Sequence, residues 1–134
     1  MELLLEGKSV AENIKKDFKL RIEKINKKPY IAVLGLNCDA ASLSYIKRIE
    51  KNCKNYGIEF ILFLANDERE FIENFNKVKQ DNNITGIMFQ QPLPTNLSDL
   101  INDISPEKDI EGVGIINMGK LFLGEKNVNI PCTS

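Results

Sequence analysis

Ile84-Thr85-Gly86-Ile87-Met88-Phe89 runs without a break into Gln90-Gln91-Pro92-Leu93-Pro94. An apolar run of this length has the pattern of a strand covered on both faces. The amides and prolines that follow it build a stiff polar loop, because each proline ring holds its own φ. Open α/β sheets bind their ligands in the crevice beyond the carboxyl ends of the strands. This stretch therefore predicts both a buried strand and a ligand-facing loop, with Gln90 the best placed polar side chain.

Two further apolar runs precede it, Tyr30–Leu36 and residues 58–64, and amphipathic stretches separate them. Ala11, Ile14, Phe18, Ile22 and Ile25 recur at helical spacing behind Ser9, which reads as an N-cap. Leu43, Ile46, Ile49, Cys53 and Tyr56 form one stripe of a second helix over 42–56, with Gly57 as its C-cap. Asn66-Asp67 caps a third, with Phe71, Ile72, Phe75 and Val78 inward. A short helix is expected around 97–104, and residues 117–121 read as a turn or a short helix. Alternating helices and strands imply parallel strands joined by right-handed crossovers, with helices on both faces.

The chain has 134 residues, enough for one core but too short for a substrate domain plus a nucleotide domain. Its formal charge of -1, with acids and bases interspersed, announces neither nucleic acid nor an anionic membrane as a partner. Met1-Glu2-Leu3-Leu4-Leu5-Glu6 lacks the basic start of a signal peptide, and no apolar run approaches a membrane span. The three cysteines, Cys38, Cys53 and Cys132, are widely spaced and there is no histidine, so no metal site is expected and a reducing cytoplasm fits best. Cys38 precedes a helix, where a thiolate is favoured; an inert thiol is the reading preferred here. Without histidine, any proton transfer must use Lys, Tyr, Asp, Glu or water.

Several separated pieces share one further pattern: Glu6-Gly7-Lys8, Ser42-x-x-Tyr45, Gly86, Gln90 to Pro94, Pro106-Glu107-Lys108-Asp109-Ile110-Glu111-Gly112, Asn117-Met118-Gly119-Lys120-Leu121 and Pro131-Cys132-Thr133. In this order they resemble the N-terminal substrate domain of the methylenetetrahydrofolate dehydrogenase/cyclohydrolase family. The resemblance implies a three-layer α/β/α fold with a mostly parallel sheet, of the amino-acid-dehydrogenase-like N-terminal type. It implies one folate-binding catalytic domain over 1–134, with the nucleotide-binding domain absent. A tetrahydrofolate derivative would be bound by Ser42, Tyr45, Gln90, Pro92, Leu93, Asp109 and Glu111, with Tyr45 stacking on the pterin and p-aminobenzoate region. NADP or NAD would serve the intact enzyme, a homodimer, while this chain alone would bind neither.

The resemblance also implies a catalytic lysine four residues after the tyrosine, on the same helix face. Here that position is Ile49. An alkyl side chain supplies no general acid or base assistance, a contribution typically worth about 10² to 10⁴ in rate. Arg48 is a poor proton shuttle, and Lys47 and Lys51 are rotated away from Tyr45. Further departures are Asn37, Ala40 and Gln91, and Glu111 in place of the shorter family acid. The expected function is methylenetetrahydrofolate oxidation by the intact enzyme with the cyclohydrolase step lost. The alternatives are a degenerate folate-binding or interaction domain, and an unrelated α/β module. No glycine-rich dinucleotide fingerprint occurs.

Overall fold

The computed structural model describes residues 7–132. Residues 1–6, with Glu6, and Thr133 of the closing motif lie outside the described residues. The elements are α1 (Gly7–Glu23), β1 (Tyr30–Leu36), α2 (Ala40–Tyr56), β2 (Glu59–Ala65), α3 (Glu68–Gln80), β3 (Gly86–Phe89), α4 (Thr95–Ser98), a 3-10 turn (Asp99–Asp103) and α5 (Ile115–Phe122). The strands form one parallel sheet in the order β2-β1-β3.

Side chains of a strand alternate between faces, and β1, as the central strand, buries both. Ala32, Leu34 and Leu36 share a core with Ile61 and Phe63 of β2, Ile87 and Phe89 of β3, and Phe71, Phe75 and Val78 of α3. Phe89 meets Phe71 and Phe75 edge to face, at 5.3 and 5.0 Å between ring centroids. Such pairs add about 0.5–1.5 kcal/mol each beyond the area they bury. On the opposite face Val33 is buried, as are Ile46 and Cys53 of α2, which packs along β2. Helices on both faces of a parallel sheet make the three layers expected from the alternation.

Four local expectations differ from the fold. Ser9 lies inside α1 rather than capping it, because the helix already runs from Gly7. The second helix begins at Ala40 rather than at 42, because Asp39 caps it, its carboxylate accepting from the Ser42 N–H at 2.7 Å. Ile72 is 36% exposed, since its neighbours Phe71 and Phe75 already fill the sheet-facing side of α3. The periodic stripe of α1 is sound as a helix signal, yet α1 buries no residue. Its one aromatic contact is Phe18 edge-on to Tyr56, 5.1 Å away.

The C-terminal third is tied to β3. Ile87 donates to the Lys108 carbonyl at 2.8 Å and bridges to Asp109 in parallel. A Cβ on Gly86 would overlap the Ile110 side chain, so the absence of one lets this loop lie against the strand. Gly112 adopts φ 67, a left-handed conformation that favours glycine.

Candidate functional site

The sheet order places β1 between β2 and β3, so the order of winding reverses at β1: the chain adds β2 on one side and then returns to add β3, parallel, on the other. That reversal is the topological switch point, where a crevice opens beyond the strand ends. A cleft of about 150 Å³ lies there, lined by Leu36, Asn37, Cys38, Asp39 and Ser42 after β1 and by Gln90, Gln91 and Pro92 after β3. The Gln90 N–H donates to the Leu34 carbonyl at 2.8 Å, so the strand pairing continues to the edge of the cleft and holds this residue in register.

The Gln90 side chain donates from Nε2 to the Gln91 carbonyl at 2.8 Å, while its Oε1 is buried with no hydrogen-bond partner among the described residues. Buried polar atoms are nearly always paired, so this acceptor marks a place where a donor belongs. Gln91 Oε1 accepts from the Leu93 N–H at 3.0 Å, and the Gln91–Pro92 peptide is cis. The Leu93 side chain turns to the core, packing against the α3 side of the sheet. Of the residues that the sequence singled out, the cleft brings together Ser42, Gln90 and Pro92.

Tyr45 and Ile49 continue the α2 face that starts at Ser42, since i, i+3 and i+7 share one helix side. Tyr45 is 49% exposed, one turn beyond the cleft; Ile49 is half-buried a further turn along. Asp109 and Glu111 are not in the cleft wall. Asp109 is 2% exposed and accepts at Oδ1 from the Gly112 N–H and at Oδ2 from the Gly114 N–H and Asn117 Nδ2, each at 2.9 Å. Asn129 Nδ2 closes the same loop on the Asp109 carbonyl at 2.8 Å. The carboxylate is fully engaged in holding the loop.

Glu111 is different. It makes no hydrogen bond or ion pair among the described residues, and burial, followed by the negative charge of Asp109, raises its pKa above the ordinary value. Because the Ile87 to Asp109 bridge is parallel, the chain leaves Asp109 in the direction of Gln90. Of the two acids, Glu111 is the one with an unused carboxylate.

Three residues enter the cleft wall that the sequence did not place there: Asn37, Cys38 and Asp39. Asn37 has φ 47, and asparagine directly after a strand was the available signal, since it tolerates the left-handed region. Burial and then Asp39 raise the Cys38 pKa, so the thiol stays protonated despite the helix that follows it. Among the described residues no group of His, Cys, Asp or Glu is arranged to hold a metal ion. Gly112-Val113-Gly114 is the one G-x-G of the sequence, and both glycine N–H groups donate to the Asp109 carboxylate.

An open parallel α/β sheet with a polar cleft at its switch point defines a small-ligand-binding domain. Residues 5–111 match the model of the tetrahydrofolate dehydrogenase/cyclohydrolase catalytic domain. The bifunctional protein FolD of Clostridium tetani is 38% identical over 143 residues, spanning 100% of this chain and 51% of the relative. That of Hydrogenobaculum is 35% identical, with 97% and 49% covered. The solved 5,10-methylenetetrahydrofolate dehydrogenase of the silkworm Bombyx mori superposes with a TM-score of 0.86 at 29% identity, over 99% of this chain and 49% of that one. The chain belongs to the tetrahydrofolate dehydrogenase/cyclohydrolase family, as a domain that spans about half the length of these relatives.

Proposed function

We infer that the chain is the folate-binding domain of an NAD(P)-dependent methylenetetrahydrofolate dehydrogenase, and that the cyclohydrolase step is lost because Ile49 stands where the family carries its lysine. The observation that carries the reading is the cleft at the switch point, walled by Ser42 and Pro92 and holding the unpartnered acceptor of Gln90. A reduced pterin presents N–H donors along one edge and an aromatic face. Gln90 Oε1 offers an acceptor, the half-exposed Tyr45 ring offers a stacking surface, and Glu111 offers a second acceptor once ionised.

The division of labour follows from the side chains present. Hydride leaves a carbon already activated by flanking nitrogens, and the nicotinamide supplies the redox chemistry when bound. This chain's part is to bind and orient the folate and to exclude water from one side of it. Hydrolysis of the methenyl product asks more, because water attack benefits from a proton-transferring group beside the reacting carbon. Ile49 supplies none. The nucleotide is held by a second domain in the intact homodimer, so this chain alone performs no hydride transfer.

Titration calorimetry with a tetrahydrofolate analogue tests the reading. Weak binding is expected, since one wall of the interdomain site is missing, and Tyr45→Ala should weaken it about tenfold. Absence of heat at about 1 mM ligand, or a Tyr45→Ala variant that binds as well as the parent, would count against it. A second reading, a domain that binds folate without any catalysis, is favoured by the departures at Asn37, Ala40 and Ile49 together. Hydride transfer by the intact protein separates the two.

A further inference from the structure

Asn129 comes from the segment that follows α5 and lies across the loop that carries Glu111. Its Nδ2 donates to two carbonyls of that loop, Pro106 at 3.2 Å and Asp109 at 2.8 Å. Each carbonyl has a second donor: Asn117 Nδ2 reaches Pro106 at 3.0 Å, and the Gly112 N–H reaches Asp109 at 3.2 Å. The Asn129 backbone is in contact as well, since a Cβ on Gly112 would overlap its carbonyl. Glu111 therefore sits between two fixed stretches. Before it, Asp109 bridges to Ile87 and the Ile110 side chain lies against Gly86. After it, Gly112 is bonded to both the carbonyl and the carboxylate of Asp109 and abuts Asn129. Asp109 holds this turn from within, and Asn129 holds it from outside.

We propose that Asn129 is a positioning residue for folate: its amide straps the loop over 106–112 and so keeps the Glu111 carboxylate half-buried and in place for the pterin edge. This rests on the folate reading given above, with Glu111 as the second acceptor. The Glu111 side chain makes no hydrogen bond or ion pair among the described residues, so only the backbone on either side of it holds it in place. Ordering a loop residue costs conformational entropy, and a carboxylate is better hydrated outside than half-buried. Both effects turn Glu111 outward when the strap is released. With the strap in place the loop is ordered before a ligand arrives, which is the preorganisation that raises affinity. A charged acceptor in a partly desolvated setting also binds a donor more strongly. Asn129 acts at a distance from the ligand, because both N–H groups of its amide are used on the two carbonyls.

Asn129→Ala in the full chain tests this. It releases the strap while the Pro106 carbonyl keeps Asn117 and the Asp109 carbonyl keeps the Gly112 N–H, so far-ultraviolet circular dichroism should not change. The first readout is an NMR titration of the glutamate carboxyls in the ligand-free chain, with the Glu111 signal identified by its loss in Glu111→Ala. Burial and then Asp109 raise the Glu111 midpoint in the parent, and it should fall toward the ordinary value in Asn129→Ala. An unchanged midpoint overturns the proposal, whatever the chain binds. The second readout is calorimetry with a tetrahydrofolate analogue in a double-mutant cycle. Asn129→Ala should weaken binding about fivefold in the parent and leave it unchanged in the Glu111→Ala background. Equal losses in the two backgrounds mean that Asn129 does not act through Glu111, and they overturn the proposal. A parent that binds no analogue, together with a lowered midpoint in Asn129→Ala, supports the strap and overturns the folate reading on which its purpose rests. If Asn129→Ala unfolds the chain, Asn129→Ser, which keeps a single donor, is read in the same two ways.

Discussion

Two acids in one loop, Asp109 and Glu111, are held in opposite ways: one carboxylate accepts three hydrogen bonds, and the other makes none among the described residues. Asp109 is buried under three donors, and removing its carboxylate as Asp109→Ala strands the N–H groups of Gly112 and Gly114 and the Asn117 amide. Unsatisfied buried donors cost roughly 1–3 kcal/mol each, less where water enters, so a loss of about 3–5 kcal/mol is expected in urea denaturation. Glu111 has a raised pKa through burial and the neighbouring Asp109. A carboxyl whose folded pKa lies above its unfolded value favours folding while protonated, and that contribution fades as pH rises through the folded pKa. Glu111→Gln should therefore stabilise the free protein at neutral pH and leave it unchanged below the ordinary Glu range. Equal melting temperatures for parent and variant at pH 7 would show that the Glu111 carboxyl is not held in an unfavourable environment.

At the scale of elements, the helix ends carry more information than the helix middles. α3 begins at Asp67, whose side chain accepts from the Glu70 N–H at 2.8 Å, while Glu70 reaches back to the Asn66 N–H at 2.8 Å. This is a variant of the reciprocal capping box, and Asp67→Ala should cost about 1 kcal/mol, read from the shift in urea midpoint. The Asn66-Asp67 pair and the Tyr30–Leu36 run were legible in sequence because cap chemistry and buried-strand composition are local. Ser9 misled for a related reason: an N-cap is set by where the backbone enters the helix, and Ser9 lies inside α1. The exposure of α1 was not legible, because periodicity names a face without saying what covers it. In the cleft, Gln90 and Ser42 were found from motif position. Asn37 and Asp39 were missed as wall residues because their part depends on the tertiary approach of two loops. Which of the two acids is spent on the loop required its hydrogen bonds.

For the whole molecule, the proposed loss of the hydrolytic step turns on Ile49. It lies half-buried on the α2 face that begins with Ser42 in the cleft wall and continues through Tyr45. If this position holds the one side chain that the hydrolytic step requires, the protein carrying its nucleotide domain should oxidise the methylene substrate while methenyl absorbance decays no faster than in buffer. Ile49→Lys then restores a proton-transferring group, and a gain of about 10² in hydrolysis is expected, at the low end of the general acid and base range. The gain is limited from the same side as the loss of stability: an ammonium in a half-buried apolar stripe is desolvated, which lowers its pKa and lowers the melting temperature of the variant. A depressed amine is neutral for part of the pH range, so the restored hydrolysis should rise with pH through that pKa, whereas oxidation in the same variant should keep the parent profile. Rapid methenyl hydrolysis by the parent would place the proton transfer on another group and remove the significance assigned to Ile49.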